Sequence, residues 1–354
     1  MKHLHHLLTA IVIITLTYAH FFPMLTHLPI QKWDEQTNVS IITNEKSIRQ
    51  FPLLYKGDEP FFEKPPLWYW VTMMLDRHLT NGIQSGRAIS ALCGFFILIF
   101  TTLLAWRWWG YTAGLTTWFV LITTNQLFTI NPNGAFSTHT LRSADVDSMH
   151  ILFLVISFAC LTGTNKVASL MAGAAAGLSV LSKSPFGLLP LFIATLLPPI
   201  KRTIPNIALS WGVAATIILP WYIWMTMQFH IPFLSSHFGY HLAARIQFPL
   251  EGHNKPSWYY ARILSARHFF LSWEWLVGSI FFITTQKYLN DRVLLFTLTM
   301  ALSTFIIPTI TSTKLAWYVL PFYPYAALLI GFATSRGIHR ILGASQNHTR
   351  TRTG

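Results

Sequence analysis

Apolar residues along this chain fall into long unbroken runs, not into the alternating or one-face patterns of soluble strands and helices. A bilayer-crossing helix needs about 20 mostly apolar residues. Ten runs approach that length: 7–28, 87–107, 111–130, 148–163, 167–182, 184–200, 205–227, 268–285, 292–311 and 315–335. The first follows Lys2 as a signal peptide would, but it runs too long and lacks a small-x-small cleavage site, so it is expected to stay as an anchor. A further stretch, 65–78, starts apolar and ends in Asp76-Arg77-His78. It is expected to lie in the membrane interface, because counting it as a span would scatter the acidic clusters over both faces. The pattern predicts an all-α polytopic membrane protein of about ten spans, with long outer segments at 29–86 and 228–267.

Composition agrees. Of 354 residues 52% are hydrophobic and only 10% charged, against about 25% charged in soluble domains. The 25 Lys and Arg outnumber the 12 Asp and Glu, giving +13. With this hydropathy the excess excludes a soluble nucleic-acid binder, and it suits membrane lipids and an anionic headgroup. Cys93 and Cys160 both lie inside apolar runs and read as buried hydrophobes. Basic residues stand at every inner connection: Arg107, Lys166, Lys201-Arg202, Lys287 and Arg292, and the 336–354 tail with Arg336, Arg340, Arg350 and Arg352. Ten of the twelve acids fall on the outer face: Asp34, Glu35, Glu45, Asp58, Glu59, Glu63, Asp76, Asp145, Asp147 and Glu251. Glu274 sits inside a span near that face and only Asp291 is inner, so acid–base chemistry belongs outside.

Four outer constellations carry chemistry. Trp33-Asp34-Glu35 follows directly on the first span, and Glu63-Lys64-Pro65-Pro66 lies further along the same segment. Carboxylates at a membrane surface gain proton affinity, as a general base requires, though acids also simply mark the water side of a span end. The two prolines forbid helix at Lys64 and start one at Pro65, leaving Lys64 where helix N–H groups and dipole favour an anion. Arg142, Asp145 and Asp147 precede a span, and their spacing favours an Arg142–aspartate pair over a divalent-cation site. His237 and His241 are four apart, as zinc ligands would be, but Phe238 stands where a zinc protease needs Glu. His253 in Gly252-His253-Asn254-Lys255 and Lys314 at the head of the last span complete the candidates. Lys64, Arg142, Lys183, Arg245 and Lys314 thus mark the outer ends of different elements, suiting a lipid phosphate.

The series Asp34-Glu35, FFEKPPLWYW, RSADVD, GLSVLSKSPFGLLP, PWYIW, GYHLAAR, GHNKPSWYY and TKLAWYVLPFYP, in that order, resembles the bacterial polyprenyl-phosphate-sugar-dependent glycosyltransferases of the GT-C fold. It is similar above all to the lipid A aminoarabinose transferases and the related protein-mannosyltransferase-like family, over about residues 5–335. The resemblance implies a GT-C catalytic domain spanning 1–335, with juxtamembrane helices in its first outer loop and a basic cytoplasmic tail at 336–354. By position Asp34 matches the general base, Glu63 and Asp147 the cavity acids, Lys64 and Arg245 the phosphate-contacting cations, and Tyr318 an aromatic near that phosphate. Two departures stand out: Thr37 replaces the family's frequent Arg, and the chain stops soon after the last span, where the aminoarabinose transferases carry a soluble domain.

The implied activity is inverting transfer of a sugar from a polyprenyl-phosphate donor to a lipid A, protein or glycan acceptor. The implied location is a bacterial inner membrane with the site facing the periplasm. No cofactor is required, and a divalent cation is the one candidate. Arg142, Asp145, Lys314 and His253 are expected to join the substrate-binding set. A lipid-linked-sugar flippase, which would usually show internal repeats, and an intramembrane zinc hydrolase are the alternatives.

Overall fold

The computed structural model describes residues 2–27, 29–129, 139–199, 204–265 and 272–350. The expected inner connection at Lys201-Arg202, the tail beyond 350 with Arg352, and the ends of the runs 7–28, 111–130, 184–200 and 268–285 lie outside these residues. The order is α1 (Lys2–Phe21), then an outer segment holding α2 (Asp34–Ile42), α3 (Glu45–Arg49), the short hairpin β1 (Tyr55–Lys56) and β2 (Glu59–Pro60), and α4 (Leu67–Leu79). There follow α5 (Gly82–Trp109), α6 (Tyr111–Ile122), α7 (Asp147–Leu161), α8 (Lys166–Ser182) and α9 (Leu189–Leu196). Next, α10 (Ile204–Leu234) runs through a π-helical stretch, Ser235–Ala244, into α11 (Arg245–Gln247). The last four are α12 (Tyr259–Ser265), α13 (Ser272–Thr285), α14 (Arg292–Ile310) and α15 (Phe322–Arg350), the last of which continues across residue 335.

All ten apolar runs map to apolar helices, but among the described residues only five helices are long enough to cross a bilayer: Leu4–Phe21, Gly82–Trp109, Ile204–Gln247, Arg292–Ile310 and Ala316–Leu342. The other five runs map to shorter helices, Tyr111–Ile122, Asp147–Leu161, Lys166–Ser182, Pro185–Leu196 and Glu274–Thr285. At 1.5 Å per residue a 12-residue helix such as α6 rises about 18 Å, short of the roughly 30 Å hydrocarbon layer. The physical reason is visible at its end. The Thr123 and Thr124 hydroxyls donate back to the Phe119 and Val120 carbonyls, and the chain tightens into a 3₁₀ turn at Asn125–Leu127, where the polar Asn125 and Gln126 interrupt the run. The stretch 65–78 becomes the 13-residue α4, which buries Trp68, Tyr69, Thr72 and Met73 against α2 and α5.

Packing departs from the soluble pattern on the outward face of the bundle. Large apolar side chains of α1 (Leu7, Ile11, Val12) and α10 (Leu219, Ile223, Met227) face outward, while small and hydroxylated residues join the helices. Because lipid tails are as apolar as leucine, close backbone approach and hydrogen bonds must hold such helices together. Ser157 donates to the Ala172 carbonyl at 3.0 Å between α7 and α8, and Ser210 to the Ser169 carbonyl at 3.0 Å between α10 and α8. Gly173 and Gly177, one turn apart on α8, face α10 directly. A Cβ on Gly173 would lie 2.2 Å from the Ser210 carbonyl oxygen, and one on Gly177 2.9 Å from Ile217.

Because the atom met is backbone, Gly173→Ala must push α10 away. It should destabilise the protein by about 1–3 kcal/mol, read as a lower midpoint of thermal unfolding in detergent.

Candidate active site

Four local features carry side chains to one point. Asp34 opens α2 after Trp33, whose φ of 72° is strained for a residue with a side chain. The hairpin turns at Gly57 (φ 62°) and returns the chain to deliver Phe61 through Lys64. Helix α4 then begins at Leu67, with Pro66 as its cap, two residues later than the sequence predicts. Pro65 itself precedes a proline, which disfavours helix there. On the far side, α7 and α8 pack together so that the start of α7 lies beside the end of α8.

At the centre Lys64 Nζ lies 3.0 Å from Asp34 Oδ1 and 3.5 Å from Asp145 Oδ2. His139 Nε2 sits 3.2 Å from both Asp34 Oδ2 and Asp145 Oδ2, and its ring stacks on Trp317 at 3.8 Å between centroids. Asn38, one turn after Asp34, donates to Asp145 Oδ2 at 2.9 Å and accepts from Tyr69 Oη at 2.6 Å. Burial works against charge on all four ionisable groups, and their mutual pairing overrides it. Lys64 and His139 hold the Asp34 and Asp145 carboxyls below the usual carboxylate range. In return the two aspartates raise Lys64 and push His139 up to about 9. Two acids and two cations leave this centre neutral.

A second group lies alongside. Lys183 caps the C-terminus of α8 and donates to Asp147 at the N-terminus of α7, each charge at the helix end that favours it. The same ammonium lies 5.5 Å from the centre of the Tyr318 ring, and Tyr318 is beside Arg245. Arg245 pairs with Glu251 at 3.0 Å. Asp145 Oδ1 and Asp147 Oδ2 are buried with no hydrogen-bond partner, leaving acceptor capacity for a ligand's hydroxyl groups. Glu63 pairs with Lys56 of the hairpin at 3.7 Å, outside the central network. His253 lies 3.9 Å from Glu251, and Lys314 donates to the Thr311 carbonyl at 2.6 Å.

The expected Arg142–aspartate pair does not form. A tight turn, in which the Thr140 amide donates to Ser143 Oγ and the Arg142 amide to Thr140 Oγ1, directs the guanidinium to the Pro23 carbonyl, and the aspartates take Lys64, His139 and Lys183 instead. Nor do His237 and His241 make a metal pair. Both ring nitrogens of His237 are engaged, with the Phe62 carbonyl at 2.8 Å and Tyr222 Oη at 3.2 Å.

Among the described residues one group has metal-ligand spacing: Asp34, His139 and Asp145 place ligand atoms within 4.8 Å of one another. The fit to a divalent ion is poor. Lys64 already places an ammonium between the carboxylates, and the shared His139 nitrogen faces both of them as a proton donor. An ion there would have to displace one charge and a proton.

His139, Asn38 and Tyr69 are absent from the sequence-derived site, and Lys183 appears there only as an outer cation. The helical spacing of Asp34 and Asn38 is the one local signal that could have exposed a member. His139 gives a test with a definite sign. Its raised pKa contributes stability that is complete below about pH 6.5 and lost as pH rises through about 9. The stability gap between the parent and His139→Gln should therefore narrow, by on the order of 2 kcal/mol, from pH 6 to pH 10. A gap that does not change with pH would show that His139 is uncharged there.

No protein-family model and no curated protein matches the chain. Solved structures do. ArnT from Cupriavidus metallidurans bound to undecaprenyl phosphate superposes with a TM-score of 0.75 at 19% identity, over 92% of this chain and 60% of that one. The Archaeoglobus fulgidus oligosaccharyltransferase in its apo form gives a TM-score of 0.61 at 12% identity, over 97% of this chain and 52% of that one. The archaeal oligosaccharyltransferase AglB from the same organism, in complex with an inhibitory peptide and a dolichol-phosphate, gives 0.59 at 13% identity, over 98% and 52%. The chain thus spans about three fifths of ArnT and half of the oligosaccharyltransferase. The likeness read from the motifs is matched at the level of architecture: this is a multi-pass membrane protein with the GT-C fold of these structures.

Proposed function

We propose that the chain is an inverting glycosyltransferase that moves a sugar from a polyprenyl-phosphate donor to a hydroxyl or phosphate acceptor at the outer face of a bacterial inner membrane. Residues 1–335 would form the catalytic unit. The observation that carries this reading is the contact between Asp34 and Lys64, in a fold shared with ArnT, whose structure holds undecaprenyl phosphate.

The geometry suggests how one lysine serves two partners. Lys64 neutralises Asp34 at 3.0 Å, and this pairing is the largest favourable influence holding the carboxyl low. A donor phosphate binding at Lys64 draws the ammonium away, and Asp34 regains the proton affinity of a useful base. The acceptor O–H then gives its proton to Asp34. Its oxygen attacks the anomeric carbon from the face opposite the phosphate, and the bond between that carbon and the phosphate oxygen breaks with its electron pair going to the phosphate. Lys64 and Arg245 offset the charge of the leaving group, with Tyr318 beside Arg245. The free oxygens of Asp145 and Asp147 supply acceptors for sugar hydroxyls.

Purified protein in lipid nanodiscs, given a polyprenyl-phosphate-linked sugar and an acceptor, should cleave the donor and glycosylate the acceptor. A flippase would move the lipid and leave that bond intact. Asp34→Asn should lower kcat by about 10²–10⁴-fold in properly inserted protein, while Lys64→Ala and Arg245→Ala should weaken donor binding as well. Full turnover by Asp34→Asn would sink the assignment.

A further inference from the structure

A second ion pair lies deeper than the cluster and takes no part in the chemistry described above. Arg87, near the start of α5, makes a two-pronged contact with Glu35: Nε to Oε1 at 2.9 Å and Nη2 to Oε2 at 2.7 Å, with side-chain exposures of 3% and 0%. The guanidinium also donates from Nη1 to the Leu25 carbonyl at 2.7 Å and from Nη2 to the Pro29 carbonyl at 3.0 Å. Glu35 accepts in turn from the Gln31 amide at 2.9 Å and the Ala144 amide at 2.8 Å. A buried ion pair of this kind adds little stability over well-packed apolar residues. What it supplies is direction, because an arginine fork and a carboxylate fix both partners in a plane.

The positions it fixes are telling. Glu35 is the neighbour of Asp34, and Ala144 is the neighbour of Asp145. Asn38 repeats the link one turn on, donating to the Ala144 carbonyl at 3.0 Å and to Asp145 at 2.9 Å. Helix α5 can approach this loop because Gly86 has no side chain there; a Cβ would lie 2.6 Å from that of Ala144. We propose that the Arg87–Glu35 pair is a positioning clamp for the transfer reaction, setting the separation of Asp34 and Asp145 by tying α2, α5, the Leu25 and Pro29 carbonyls and the Ala144 amide together. This rests on the functional reading above and adds two residues that touch neither donor nor acceptor. Geometry of reacting groups is steep in its effect: a misplacement of about 1 Å can lower a rate roughly 10²-fold.

The test uses the full-length protein in nanodiscs and two readouts, steady-state transfer and hydrogen–deuterium exchange of the 139–147 peptide. Arg87→Lys keeps the charge and loses the fork. The paired change Glu35→Leu with Arg87→Met removes both charges together, so no lone buried charge is left to block folding. Both should lower kcat about tenfold or more with donor KM within about twofold of the parent. Both should also speed exchange in 139–147 while leaving α8 unchanged. A folded double variant with parental kcat, or with unchanged exchange in 139–147, overturns the clamp. If the parent transfers no sugar yet the exchange result holds, the loss falls on the functional reading and the clamp stands.

Discussion

Two carboxylates, Asp34 and Asp145, lie close enough to share one histidine nitrogen in a setting that excludes most water. Like charges that near, half out of solvent, cannot both persist unless cations are brought to them. That requirement organises the outer half of the molecule. The hairpin and the two prolines deliver Lys64, the loop before α7 delivers His139, and the 3₁₀ turn at Ala316–Val319 lays Trp317 over the imidazole. Asn38, held in turn by the Tyr69 hydroxyl, then donates to the Asp145 carboxylate. Each contributor comes from a different part of the sequence, and the electrostatics make sense only when all are present.

The same logic explains what could be read in advance. The apolar runs placed every major helix, because hydropathy is a local property. Their lengths were less legible. Thr123 and Thr124 end α6 through hydroxyl-to-backbone bonds, and a window of about 20 residues averages over the polar Thr123–Gln126 step because Leu127 and Phe128 follow it. Asp34, Lys64 and Asp147 were recognisable from their flanking motifs. Their partners were not, since a pair such as Lys183–Asp147 depends on two helix ends meeting across the bundle. Arg142 shows the opposite error. Proximity in sequence suggested an aspartate partner, and a four-residue turn carried the side chain to Pro23 instead. Arg87, inside an apolar run, was open to notice as a buried charge in need of a counter-ion, and Glu35 answers it.

Below the site the bundle is held by a different economy of contacts. Large apolar side chains line its outside, and Gly173, Gly177, Ser157 and Ser210 join its helices. Such joints rely on fit, not on expulsion of water. They give a stiff frame on which charged residues at helix ends keep fixed spacing. Helices α7 and α8 illustrate the coupling: their serine-bridged packing is also what presents Asp147 to Lys183.

Lys64, Lys183 and Arg245, each paired with a carboxylate here, have a consequence for the return half of the proposed catalytic cycle. On the proposed reaction the lipid arrives as a phosphate diester with a single negative charge. It departs as a monoester whose second ionisation lies near pH 6, so at neutral pH the spent carrier bears close to two charges. Lysines and an arginine that suit the diester would hold the carrier more firmly after the sugar has gone. Turnover would then be paced by escape of the empty lipid, and the surrounding pool of carrier phosphate would act as a brake on the enzyme.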